Sequence, residues 1–352
     1  MADRVSPQLN GNRPRYGVRV IAAAVLGAAV VVALVLGYLG TRYQSSTPAA
    51  ALEKVSIAMP SVPHAALMYI AAARGYFAEE GLEVTMMPTI HGKAAIELVV
   101  QGKADLATAS EVVFVVSITK GEALGIAANM FNSSKDMAIV ARRDRGIAAA
   151  RDLIGKKIGV TLGTSGEYFL WAFLIRHKLP PESVTLVEIP PEKIAQELAT
   201  GTIDATATWQ PNVLDAQLAL HDNAVTMYEP LAYTETFNII GRNDFLTGHS
   251  KAIEKLVRAM LKAEEFNRAR PEEALNLVAE QLKTDVESMR PGWKNFNFRL
   301  DLAQSQLMTL EEEARWAMER GYVEKKPVPN FLPNLYLDAL LATQPERVTV
   351  VH

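Results

Sequence analysis

The stretch VSIAMPSVPHAALMYIAAARGYFAEEGLEVTMMPTIHGKAAIELVVQGKADLATA, residues 55–109, decides the fold class. Val55, Ile57 and Met59 alternate with smaller or polar residues, the two-residue period of a strand. Residues 64–74 carry no β-branched side chain except Ile70 and read as a helix. Gly75 stops that helix, because glycine accepts the left-handed conformation after a helix end without a Cβ clash. Glu79-Glu80-Gly81 turns the chain into a second strand at 82–86, followed by a helix at about 92–101 and a third strand at 104–108. Strand, helix, strand with crossovers of more than about ten residues means parallel pairing and an α/β sheet. In such sheets the βα loops and positive helix N-termini gather at the strand C-terminal ends, so the functional surface is expected there.

The same pattern continues outward. A helix is expected at 110–119 and strands at 124–130 and 136–143. A fresh series follows: strand 157–161, helix 166–177, strand 184–189, helix 191–200, strand 203–209, helix 213–220 and strand 236–241. From Ser250 the chain reads as helical, with helices to Phe266, at 272–282 and at 302–320, then a proline-punctuated tail at 327–333 and a short helix near 335–341. Two joints match. Glu97-Leu98 leads to Gly102-Lys103-Ala104-Asp105, and Glu197-Leu198 leads to Gly201-Thr202-Ile203-Asp204. The plain reading of Asp105 and Asp204 is a turn side chain bonding local backbone N–H groups. The repeated joint itself points to two α/β lobes with a cleft between them.

With 352 residues, 49% of them hydrophobic, the chain can bury a sizeable core, and about two domains are expected. Net charge is −3 with no long basic tract, so no nucleic-acid partner is expected. There is no cysteine, which excludes disulfides, thiolate metal sites and cysteine nucleophiles and suits an extracytoplasmic compartment.

Residues 1–19, with Arg4, Arg13, Arg15 and Arg19, read as a cytoplasmic basic flank. Residues 20–40 carry no charge and are long enough to span the hydrocarbon core, as a transmembrane anchor or uncleaved signal. The arginine excess places everything after Thr41 outside the cytoplasm. Pro48-Ala49-Ala50-Ala51 offers a small-residue cleavage site, so the protein is expected on the periplasmic side of the inner membrane, anchored or released. Without a cysteine after Leu36-Gly37, lipid anchoring is excluded. Residues 41–53 read as a linker.

Three stretches, Ala73-Arg74-Gly75-Tyr76-Phe77-Ala78-Glu79-Glu80-Gly81-Leu82-Glu83-Val84, Gly102-Lys103-Ala104-Asp105-Leu106 and Asp152-Leu153-Ile154-Gly155-Lys156-Lys157-Ile158-Gly159-Val160, carry a resemblance, together with Trp209-Gln210-Pro211 and Gly241-Arg242-Asn243-Asp244-Phe245-Leu246. Their order and spacing from Val55 to the end resemble the solute-binding proteins of ABC importers for nitrate, taurine, alkanesulfonates and thiamine-precursor pyrimidines. The resemblance implies a type II periplasmic-binding-protein fold, with lobe 1 from 54–138 and 238–352, lobe 2 from 139–237, and two hinge strands between them. It also implies a monomer that closes on a small polar or anionic solute and delivers it to an ABC permease with its ATPase, with no cofactor, metal or catalytic residue. A pyrimidine-synthesising enzyme branch shares the fold, but it carries an iron-associated cysteine cluster that this chain cannot supply. A membrane-tethered ligand sensor is the remaining alternative.

Read without the family, the βα loops also make a site. Ser61 to His64, His91-Gly92-Lys93 and Thr108-Ala109-Ser110-Glu111 follow first-lobe strands, and Gly163-Thr164-Ser165-Gly166-Glu167 follows a second-lobe strand. Helix N-termini with unpaired N–H groups converging on one cleft suit an anionic or strongly polar head group. The competing reading is that the hydroxyl residues are ordinary N-caps and Lys93 a solvated charge. The 163–166 loop matches neither a phosphate loop nor a dinucleotide fingerprint, and it is one residue short of a nucleophile elbow. The six histidines contain no H-E-x-x-H. Among aromatics, Trp209 after a strand and before Pro211 is the expected cover for the ligand body. Phe131, Tyr168 and Tyr233 divide between that role and core packing.

Overall fold

β1 (Glu53–Pro60) pairs in parallel with β2 (Leu82–Thr89) and β3 (Leu106–Ser110). The crossovers are α1 (Ala66–Ala73) with α2 (Tyr76–Glu79), and α3 (Gly92–Val100). Gly75 between α1 and α2 has φ 73°, the left-handed stop the sequence calls for. Every residue of β3 is buried, as expected of a strand covered on both faces. After α4 (Glu111–Thr119) and β4 (Leu124–Ser133) the chain leaves this sheet.

The second sheet takes β5 (Ala138–Arg142), β6 (Lys157–Val160), α5 (Ser165–Arg176), β7 (Thr185–Glu188), α6 (Ile194–Thr200), β8 (Ala205–Thr208), α7 (Asn212–Leu220) and β9 (Ala224–Met227). β10 (Glu235–Arg242) then returns between β3 and β4. The two five-stranded sheets run β2-β1-β3-β10-β4 and β7-β6-β8-β5-β9. Neither is wholly parallel: β10 is antiparallel to β3 and β4, and β5 to β8 and β9. Each exchange strand enters its new sheet from the opposite end. The protein thus has the two-sheet α/β architecture of a periplasmic binding protein.

The rest is helical: α8 (Asn243–Gly248), α9 (Ser250–Ala269), α10 (Pro271–Leu282), α11 (Val286–Trp293), α12 (Gln304–Glu319) and α13 (Asp338–Thr343). α9 buries Ile253, Leu256, Val257, Met260, Ala263 and Phe266 at helical spacing, and its flank binds the α2 corner through Arg258–Glu80 and Lys262–Glu79 pairs. Val113, Phe114, Leu310 and Ala314 belong to the core of the first sheet, while Val112, Val116, Trp316 and Ala317 belong to that of the second. α4 and α12 therefore join both cores.

Asp105 and Asp204 do not bond local backbone. Asp105 accepts from Ser56 N at 2.8 Å and Ser56 Oγ at 2.6 Å, and Asp204 accepts from Lys157 N at 2.9 Å. Asp105 thus ties the start of β3 to β1 and Asp204 the start of β8 to β6, so the repeated joint is a repeated cross-strand staple.

The structure, a computed structural model, describes Met1, residues 32–35 and residues 51–351, and it divides into the units Met1–Ala51 and Leu52–His352. The basic flank and, apart from 32–35 and 51–53, the expected membrane segment, cleavage site and linker lie outside the described residues. Among the described residues no helix is long and apolar enough to cross a membrane.

Candidate functional site

The C-terminal ends of β1, β2, β3, β6 and β8 and the start of β10 enclose a cavity with a volume of about 30 Å³. The first lobe contributes Pro60, Val62, His64, Ile90, His91, Gly92, Ser110 and Val113, the returning strand Glu235 and Phe237, and the second lobe Thr164, Ser165 and Trp209. This is where open α/β sheets place ligands, and here two sheets share one site.

Of the candidates from sequence, His64, His91, Ser110, Thr164, Ser165 and Trp209 meet on this cavity. Gly166 backs it: a Cβ there would sit 2.9 Å from Ala207 O and 3.4 Å from the Trp209 ring, so glycine allows the indole to lie on the start of α5. The others go elsewhere. Ser61 is exposed at the turn, and Thr108 is fully buried within β3. Lys93 lines a separate groove with Glu97, Lys120 and Tyr322. Phe131 is fully buried with its ring 4.5 Å from that of His64, so it packs behind the site. Tyr233 turns away and donates to Glu111 Oε1 at 2.6 Å.

Two residues at helix starts differ in capping, and only for Ser110 was a cap the competing expectation. His91 Nδ1 accepts from Ala94 N at 3.0 Å, so this ring caps α3. Ser110, at the N-cap of α4, makes no side-chain cap bond, which leaves its hydroxyl to the cavity. The 163–167 loop is clamped from behind: Glu167 accepts from Gly163 N at 2.8 Å, from Arg320 Nε at 3.0 Å and from the Tyr322 hydroxyl. The Gly163 N–H is thus already engaged.

Beneath the cavity lies a group of buried acids that sequence reasoning did not assign to the site. His64 Nε2 is 3.0 Å from Asp136 Oδ2 and 3.5 Å from Glu235 Oε2, all three side chains being nearly inaccessible. Burial alone would lower the His64 pKa, but Asp136 and Glu235 overcome it and hold it up at about 10. Phe131, Phe237 and Phe296 surround the ring. Next to Glu235, burial and the Glu235 charge push Glu111 up, and burial with Glu111 and Glu235 pushes Glu313 up. His64, Asp136 and Glu235 could together hold a metal ion, their ligand atoms lying within 4.8 Å of one another. His64 Nδ1, however, has no hydrogen-bond partner, whereas a metal-bound histidine almost always donates its second nitrogen to one. A charged imidazole between two carboxylates accounts for the geometry.

The NMT1/THI5-like family profile matches residues 62–274. A putative binding protein of Brucella abortus is 25% identical over 233 residues, 64% of this chain and 70% of that protein. A putative aliphatic sulfonates-binding protein of Bacillus subtilis is 22% identical over 290 residues, 78% of this chain and 84% of its own length. Among solved structures, the periplasmic aliphatic sulphonate binding protein SsuA from Escherichia coli superposes with a TM-score of 0.69 at 14% identity, over 82% of this chain and 98% of that one.

Proposed function

Because this chain belongs to the NMT1/THI5-like family, we propose that it is the extracytoplasmic solute-binding component of an ABC importer, capturing a small polar organic solute by lobe closure and making or breaking no bond. The observation that carries this reading is the cavity walled from both sheets, His64 and Ser110 on one side and Thr164, Ser165 and Trp209 on the other, with single-strand crossings between the halves. Such crossings act as hinges, and a solute touching both walls stabilises the closed form. A permease with its ATPase would receive the loaded protein, and residues 20–40 would tether it to the membrane unless cleavage releases it. Trp209 would cover the ligand body while Ser165 and Ser110 meet its polar atoms.

The absence of cysteine makes the test direct. Fluorophores on Lys103→Cys and Arg151→Cys, both exposed and one in each half, should draw together as a bound solute saturates. A solute that titrates to one equivalent by calorimetry without changing that distance would sink capture by closure. Trp209→Ala should weaken such binding by roughly 1–3 kcal/mol, the scale of one buried aromatic contact.

A further inference from the structure

We propose a second binding site, outside the cleft, for a small neutral polyhydroxylated molecule of the sugar or cyclitol class, in a groove beside the crossing segment 228–234. The groove has a volume of about 450 Å³, within the range of sites that bury small organic ligands. Its walls are β4 at Asn129 and Asn132, the crossing at 230–234, the first two turns of α12 and Tyr168 of α5. It shares no lining residue with the cleft cavity, so the site stands apart from the solute-capture reading. Tyr168 is the group that asks for a partner. It is 5% exposed, yet its hydroxyl remains accessible and, among the described residues, makes no hydrogen bond. Burial, with Glu313 and Glu312 nearby, raises its pKa, so the hydroxyl keeps its proton and can donate.

The other free groups around it are of both kinds. Thr234 and Ser305 present exposed hydroxyls, and Asn132 keeps its Nδ2 free while its Oδ1 accepts from Asn297 Nδ2 at 3.2 Å. Hydroxyls donate and accept, an amide nitrogen donates, and the Glu312 carboxylate on the rim accepts. Adjacent hydroxyls on one ligand, each donor and acceptor at once, match that mixture. Charge favours neither sign of ion. No lysine or arginine lines the groove, which leaves an anion without a counter-charge. Of its two carboxylates, Asp301 already accepts from Asn129 Nδ2 at 2.9 Å and faces Arg299 at 3.5 Å, and Glu312 is exposed to solvent, so no buried charge awaits a cation. Pro230 and Leu231, the latter 74% exposed, add an apolar edge on which the C–H face of a ring can lie.

The test is titration of the full chain with myo-inositol, D-glucose and D-ribose, followed by ligand-observed NMR and calorimetry, beside tetramethylammonium chloride and sodium sulfate as charged controls. At least one of the three polyols should bind saturably at one equivalent. Tyr168→Phe should weaken it about threefold to tenfold, the loss of one neutral hydrogen bond, and Trp209→Ala in the cleft wall should leave it unchanged. Should Tyr168→Phe fold poorly, Ser305→Ala on the exposed rim takes its place with the same expected direction. Failure of all three polyols to bind overturns the proposal. So does binding that is lost in Trp209→Ala but untouched by Tyr168→Phe and Ser305→Ala, which puts the polyol in the cleft, and so does a charged control that displaces the polyol.

Discussion

At the scale of single residues, the two staples are the simplest place to test the repeat. Asp105 takes the Ser56 N–H and hydroxyl, and Asp204 takes the Lys157 N–H, each at the start of a strand. Asp105→Ala leaves the Ser56 donors without their acceptor in a part-buried site, so it should cost about 1–3 kcal/mol in urea unfolding. Asp204→Ala, closer to solvent, should cost less. The buried acids make a second prediction, in pH. His64 in the folded chain keeps its proton up to about 10, so the stability it contributes is complete below the ordinary histidine range and is lost as pH rises through 10. Glu111 and Glu313 are raised by burial and like charge, so the folded chain holds protons that the unfolded chain gives up above the ordinary glutamate range. All three have the same sign: stability should decline from about pH 5 upward, by at most about 1.4 kcal/mol per pH unit for each proton involved. Glu313→Gln removes one of these protons and should flatten the decline between pH 5 and 8. Equal slopes for wild type and variant in urea titrations would show that the carboxyl is ionised after all.

At the scale of elements, α9 shows what periodicity can and cannot carry. Its apolar residues recur every three or four positions, and Leu256 is almost fully enclosed against the first core, so Leu256→Ala should cost about 2–5 kcal/mol in denaturant unfolding. The contact between α5 and β8 is tighter still. A Cβ at Gly166 would stand 2.9 Å from Ala207 O, so Gly166→Ala must part the helix from the strand and push the Trp209 indole, with altered tryptophan emission even before any solute is added. The opening βαβ unit was readable because strand alternation, a β-branched-poor helix and a glycine stop agree over 55 residues. β9 was not, since Ala224–Met227 is too short for alternation to register, and neither were α8 and α11, the latter with Pro291 inside it. The site divided in the same way. Loop residues next to predicted strand ends, such as Thr164 and Trp209, could be placed by topology. Glu111 opens an apolar helix and Glu235 opens a strand, where an acid passes for a helix-dipole partner or an edge charge, and only the return of β10 beside β3 brings them under one cavity. Asp136, expected to open the strand at 136–143, lies instead between β4 and β5, and nothing in its neighbours marked it for the site.

At the scale of the whole unit from Leu52, the strand crossings and the bridging helices oppose each other. The chain passes between sheets at 134–137 and 228–234, short segments that can bend, whereas α4 and α12 pack into both cores and the Glu167 cluster with Arg320 and Tyr322 ties α12 to the second-lobe loop. On the solute-capture reading proposed above, opening would pivot about those helices while the walls at His64 and Trp209 separate. That reading requires it, because a cavity of about 30 Å³ is far below the several hundred Å³ of sites that admit organic ligands freely. The ligand-free protein in solution should then be less compact than this closed arrangement, and a saturating solute should bring small-angle scattering to the profile calculated from it. Arg320→Ala should widen the ligand-free distribution by cutting the tie at Glu167, and so weaken apparent affinity through a lower closed population, with the bound-state profile unchanged. If scattering from the ligand-free chain already matches the closed arrangement and Arg320→Ala leaves both affinity and scattering as they were, the cleft does not open on these hinges, and entry has to be sought through side-chain movement at Ile90 and Trp209.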